Sequence, residues 1–130
     1  MKKSVLKALS AILISFSLFS VPTSAFQTGW SSSNHDTYGT EWQYITNEGI
    51  PARGWQYINY NWYYLGLFDG IAVKGLQTIN GQDYYFDLVN CDMKHDQYVK
   101  IGSGWHAAMA WACSDGHIDY NNTTFSDSSN

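Results

Sequence analysis

The sequence predicts an all-β chain, a solenoid of stacked β-hairpins. Three observations carry that expectation: a repeat at an offset of 21 residues, short runs of strand formers closed by turn signals, and no sustained 3.6-residue period beyond the N-terminal segment. Gly54-Trp55-Gln56-Tyr57-Ile58-Asn59, followed by Trp62-Tyr63-Tyr64-Leu65, returns as Gly75-Leu76-Gln77-Thr78-Ile79-Asn80, followed by Asp83-Tyr84-Tyr85-Phe86. The same offset carries Gly70 to Cys91 and Ala72 to Met93. A lone hairpin of this size does not bury its apolar face, whereas stacked hairpins cover one another.

Taken in chain order, Lys2, Lys3 and Lys7 precede an apolar run from Ala8 to Val21, and small residues lead to a cut after Ala25. That is the layout of a secretory signal peptide, an apolar helix over residues 1–25 that is too short to span a bilayer. Its removal takes three lysines and no acids, so the net charge goes from −4 to −7 and no stable membrane anchor is expected to remain. Residues 26–34 read as a leader and 35–120 as the repeat domain of about four units, the best defined being 54–74 and 75–96. Residues 121–130 read as a polar, disordered tail.

Within the repeat domain Trp, Tyr, Ile, Phe and Val gather in short runs, as strands favour. Asn80-Gly81 is a strong two-residue hairpin signal, and Asn59-Tyr60-Asn61 is a looser equivalent. Upstream, Trp42-Gln43-Tyr44 takes the place of Trp62-Tyr63-Tyr64, with His35 where a first tryptophan is expected. Downstream, Tyr98 and Trp105 keep the seven-residue spacing of Trp55 and Trp62. A second register, from Gly104-Trp105 with Trp111 as its second aromatic, also stands open. The run Ala107–Ala112 suits one or two helical turns.

Charged residues are 14 % of the chain, against roughly 25 % in an average soluble domain, and aromatics are 17 %. This composition excludes a disordered chain, and the acidic balance gives nucleic acid no basic surface. Cys91 and Cys113, the only cysteines, are expected to pair as a structural disulfide outside the cell. No metal site is expected, since Asp92-Met93-Lys94-His95-Asp96 matches no cation loop and reads as a solvated turn. No catalytic residue or cofactor is expected either: His35, His95, His106 and His117 lie in no catalytic motif.

The Trp55-to-Trp62 spacing with Tyr63-Tyr64-Leu65, continued by Ile79-Asn80-Gly81, Tyr84-Tyr85-Phe86 and Met93, resembles the cell-wall-binding repeats of Gram-positive secreted proteins, those of the choline-binding type. Glucan-binding domains and clostridial toxin repeats are related to them. The resemblance implies a left-handed superhelix of hairpins with ligand sites between consecutive units. It also implies choline on teichoic acid as partner, held by two Trp of one hairpin, a Tyr of the next and a nearby Met. Carried onto this chain, the main ligand-binding set is Trp55, Trp62, Tyr85 and Met93, with Tyr85 picked because it shares the strand face of Asp83, the equivalent of Trp62. Secondary positions are Trp42, Tyr64, Tyr98 and Trp105. The expected protein is therefore secreted, attached to the cell wall and not an enzyme. Two alternatives stand beside it: a glucan-binding module of the same fold, and an antimicrobial or toxin-like effector that uses the repeats for targeting.

Overall fold

The structure, a computed structural model, describes residues 27–125 apart from Tyr38, Trp105 and His106. The expected signal peptide lies outside the described residues, as does the end of the expected tail. Among the described residues nine strands follow one another: β1 (Gly29–His35), β2 (Gly39–Ile45), β3 (Gly54–Ile58), β4 (Asn61–Leu65), β5 (Gly75–Ile79), β6 (Gln82–Phe86), β7 (Gln97–Ile101), β8 (Ala108–Ala112) and β9 (Ile118–Phe125). They pair in sequence order as three two-stranded hairpins and a final three-stranded sheet, all antiparallel. Among the described residues no helix is long and apolar enough to cross a membrane.

Turn chemistry fixes the central hairpins. Asn59-Tyr60 and Asn80-Gly81 both take the paired positive φ of a two-residue turn, at 49° and 67° and at 51° and 80°. Those turns set the registers Trp55↔Tyr64 and Leu76↔Tyr85. After each hairpin the chain makes a short loop closed by a backbone bond: Thr46 N to Ile50 O, Gly66 N to Ile71 O, Asp87 N to Asp92 O and Cys113 N to His117 O. The last three loops then each lead the chain back one hairpin. Ala72 N donates to Trp42 O, Met93 N donates to Trp62 O, and His117 forms a bridge with Tyr84. These long-range bonds staple unit to unit.

The core runs along the solenoid as three seams. The first joins Ala52, Tyr63, Leu65, Ala72 and Cys91 with Trp30, Trp42 and Tyr44. Ile79, Phe86 and Met93 with Trp55, Tyr64 and Tyr84 make the second. In the third, Val99, Ala110, Ala112 and Ile118 pack with Tyr85 and Ile101. Each central hairpin thus turns one strand face backward and the other forward, and packs against a neighbour on both.

Several sequence expectations change here. Residues 29–34 are not a leader: they form most of β1, whose backbone pairs along its whole length with β2. The chain past residue 120 is not wholly a free tail, since β9 continues to Phe125 on β8. Ala108–Ala112 is strand β8 rather than a helical turn, because its backbone pairs with β7 on one side and β9 on the other while Ala108, Ala110 and Ala112 share one buried face. Cys91 and Cys113 are free thiols rather than a disulfide. Cys91 takes the left-handed place that Gly70 holds one unit earlier, at φ 63° against 71°, and lies fully buried in the first seam. Cys113 instead opens the loop after β8, where its carbonyl accepts from Gly116 N.

Candidate functional site

Among the described residues two aromatic corners repeat along the solenoid. At the first, which we call cage A, Trp30 on β1 and Trp42 on β2 stand edge to face at 90°, with centroids 6.5 Å apart. Tyr63 from β4 of the next hairpin closes the third side, 4.7 Å from Trp30. At cage B, Trp55 on β3 and Trp62 on β4 meet at 86° and 6.2 Å, and Tyr84 from β6 stands 5.0 Å from Trp55. Behind each corner a tyrosine braces the first indole: Tyr44 is 5.4 Å from Trp30, and Tyr64 is 5.3 Å from Trp55.

The strand registers explain why the two corners match. Counting back from the last residue of each hairpin, Trp30 and Trp55 hold one position, as do Trp42 and Trp62, and Tyr63 and Tyr84. Both indoles of a hairpin lie on its forward face, while the tyrosine of the following hairpin lies on that hairpin's backward face. Tyr84 therefore meets Trp55. Tyr85, the tyrosine expected at the site, points the opposite way and packs on Val99, Ala110, Ala112 and Ile118. A ring closing a gap between hairpins must face backward, so sharing a face with the next tryptophan position is the wrong criterion. For the same reason Tyr63, not Tyr64, joins Trp42.

The first tryptophan of the first hairpin is Trp30, not the position of His35. β1 and β2 form seven residue pairs against five in β3 and β4, which shifts the apparent spacing. Of the expected main set, the structure brings together Trp55, Trp62 and Met93 and leaves Tyr85 out. Trp105 lies outside the described residues. Tyr98 stacks 5.0 Å from Trp111 and donates to Asn122 Oδ1, with Met109 at the position of the second tryptophan.

Floor and lid differ between the corners. Cage A has a volume of about 550 Å³, with Val89, Asn90 and Asp92 of the loop after β6 at its mouth. Cage B is smaller, about 330 Å³, and is lined by Met93 and by Asp115 of the loop after β8. Met93 stands where cage A has Ala72, one repeat earlier, so the thioether takes up space that a methyl leaves open. At Gly116 the backbone takes φ 87°, which favours glycine, and an added Cβ would also displace the flexible end of the Met93 side chain. The seam after β5 and β6 has no such corner: Leu76 and Asp83 replace the two tryptophans, and Asp83 accepts from Thr78 Oγ1 at 2.5 Å and from the Tyr120 hydroxyl.

Electrostatics at both mouths is acidic but partnered. Lys94 Nζ holds Asp92 at 2.9 Å and Asp87 at 3.0 Å. Burial pulls the Lys94 ammonium down, but hydrogen bonds to these two carboxylates outweigh it and leave its pKa raised. Burial first, then the charges of Asp92 and Cys91, push the Tyr63 hydroxyl up. The hydrogen bond with His117 Nδ1, 2.5 Å away, holds the Asp115 carboxyl below the usual range. Among the described residues no cluster of His, Cys, Asp and Glu suits a metal ion. Two indoles at right angles and a phenol ring present electron-rich faces to one small volume. Such a corner attracts a cation that donates no hydrogen bonds.

Comparison with solved structures gives the same architecture. Choline binding protein F from Streptococcus pneumoniae, solved in the presence of a peptidoglycan analogue, is 26 % identical over 77 % of this chain and 34 % of its own, with a TM-score of 0.58. The chain has the choline-binding-repeat fold. A further structure of that protein, in complex with ipratropium, is 26 % identical over 72 % of this chain and 30 % of its own, with a TM-score of 0.59. The choline binding domain of another S. pneumoniae protein, 21 % identical, shares the fold over 72 % of this chain and 95 % of its own, at 0.55. The choline-binding-repeat region described here thus spans about a third of choline binding protein F. No protein-family model matches the sequence, and comparison with curated proteins gives no match.

Proposed function

We propose that this chain is a secreted, non-catalytic module that attaches to the cell wall by binding choline-type quaternary ammonium groups in cages A and B. The observation that carries this reading is the repetition: three rings in one geometry, rebuilt one hairpin later with different neighbours. A trimethylammonium group has a diffuse charge and no N–H, so aromatic faces suit it better than carboxylates alone, at about 0.5–2 kcal/mol for each face. The likeness to choline binding protein F supports the same ligand class, and the acidic chain adds a weak favourable field. Teichoic acid choline on the cell surface is the partner this reading assigns.

Choline and soluble glucan, titrated separately against the purified chain, test it. Millimolar choline is expected to shift tryptophan emission and raise Tm, with glucan silent. A shift with glucan alone would replace the cation reading by a carbohydrate one. Growth inhibition of related bacteria by the purified chain would favour the effector.

A further inference from the structure

The two cages differ in the residue that closes the loop over each. Over cage A the loop after β6 ends where Asp92 O accepts from Asp87 N; over cage B the loop after β8 ends where His117 O accepts from Cys113 N. A carboxylate in one loop is an imidazole in the other. His117 is also fixed beside its cage, since its backbone bridges that of Tyr84, the phenol wall, and the preceding Gly116 lies against Met93. Asp115, which lines cage B, accepts at Oδ1 from His117 N at 3.3 Å and meets His117 Nδ1 at 2.5 Å. A second pair of this kind, His95 Nδ1 with Asp96 Oδ2 at 2.8 Å, stands at the same edge, where His95 shares a hollow with Trp62, Met93 and Asp115.

We infer that acid weakens the hold of cage B on a quaternary ammonium group and leaves cage A unaffected, because imidazoles stand at the mouth of cage B and, among the described residues, none lines cage A. The inference rests on the cation reading of the cages. With both histidines neutral, Asp115 and Asp96 leave two negative charges at the mouth of cage B; with both protonated, each pair cancels. Imidazole is the side chain whose charge changes between pH 5 and 8. The other titratable groups around the loop are Asp119, Cys113, Tyr57, Tyr60 and Tyr84, residue types that titrate outside that range. At cage A the ionic groups are Lys94, Asp87 and Asp92, types that keep their charges throughout it. His117 and Asp115 are 37 % and 66 % exposed, so water and salt hold the effect to a few-fold. By linkage, a cation entering cage B favours the neutral imidazoles and so expels protons.

Calorimetric titration of the full chain with choline at pH 8 and pH 5, in about 20 mM salt to limit screening, tests the difference. Trp42→Ala leaves cage B to be read alone, and Trp62→Ala leaves cage A. Cage B is expected to bind choline about fourfold more weakly at pH 5, and cage A equally at both. His95→Gln together with His117→Gln is expected to flatten the profile of cage B, as is about 1 M salt. In the unsubstituted chain, titrations near pH 6.5 in buffers of different ionisation enthalpy are expected to show proton release, a readout that needs no variant to fold. A flat profile at cage B, equal weakening at both cages, weakening that survives the double substitution, or binding without proton release would each overturn the inference. If choline binds at neither pH, the cage reading falls. Collisional quenching of tryptophan emission by caesium then judges the charge at the mouth alone. Quenching that drops on acidification in the wild type and not in the double variant upholds it, and an equal response sinks it.

Discussion

Trp30 lies 4.7 Å from Tyr63 across the first seam, and Trp55 repeats that relation with Tyr84 at 5.0 Å across the second. Each pair spans two hairpins, so neither corner exists within a single unit. Choline is therefore expected to bind with a stoichiometry of two per chain. Trp62→Ala removes only cage B and is expected to lower the stoichiometry to one. Calorimetry counts the sites directly; a wild-type value of one would show that only one corner works.

Tyr84 and Tyr85 are chain neighbours on opposite faces of β6, and their substitutions should separate. Tyr84→Leu is expected to abolish binding at cage B. Tyr85→Leu is expected to leave both sites intact and cost about 1–3 kcal/mol through lost packing in the third seam. Paired choline titrations and urea unfolding distinguish the two. Loss of a site in Tyr85→Leu would reverse the assignment.

The hairpin units of residues 54–96 were legible because turn chemistry and the 21-residue offset lie in local sequence. The facing of Tyr84 was not, because it depends on how one hairpin rotates against the next. Trp30 was hidden by a longer first hairpin, which breaks the Trp spacing although the strand register is kept. The free state of Cys91 was equally hidden: its place in a left-handed turn inside the first seam follows from the loop geometry, not from cysteine count.

The hydroxyl of Tyr120 donates to Asp83 across β6 and β9, which ties the final sheet to the third hairpin. Burial and that bond push Tyr120 up to about 12, and hydrogen bonds from Thr78 and Tyr120 hold Asp83 below its ordinary value. The raised tyrosine contributes stability that is complete below its ordinary pKa and lost as pH rises toward 12. The lowered carboxyl contributes stability that is complete above its ordinary pKa and lost as pH falls through its folded value. Tyr120→Phe is expected to cost about 1 kcal/mol near neutral pH, below the usual range for a charged hydrogen bond because the pair is exposed. The wild-type advantage in Tm should shrink at both extremes. A difference that stays constant with pH would mean that the bond does not form.

Both thiols are free, so two equivalents of thiol reagent should react in denaturant without reductant. In the native protein Cys91 is expected to react slowly, because it is fully buried and burial raises its thiol pKa. Mass spectrometry of the labelled chain checks both statements. Absence of labelling in denaturant would restore the disulfide.

A corner of this kind draws on hairpin n for its indoles, on hairpin n + 1 for its phenol, and on the loop after hairpin n + 2 for its lid. Valency therefore trails repeat number by at least two, and each duplicated repeat that keeps both tryptophans brings one more cage. Multivalent grip on a polymer rises steeply with such increments. Gene duplication of a single 21-residue unit is then enough to tune avidity without altering any ring.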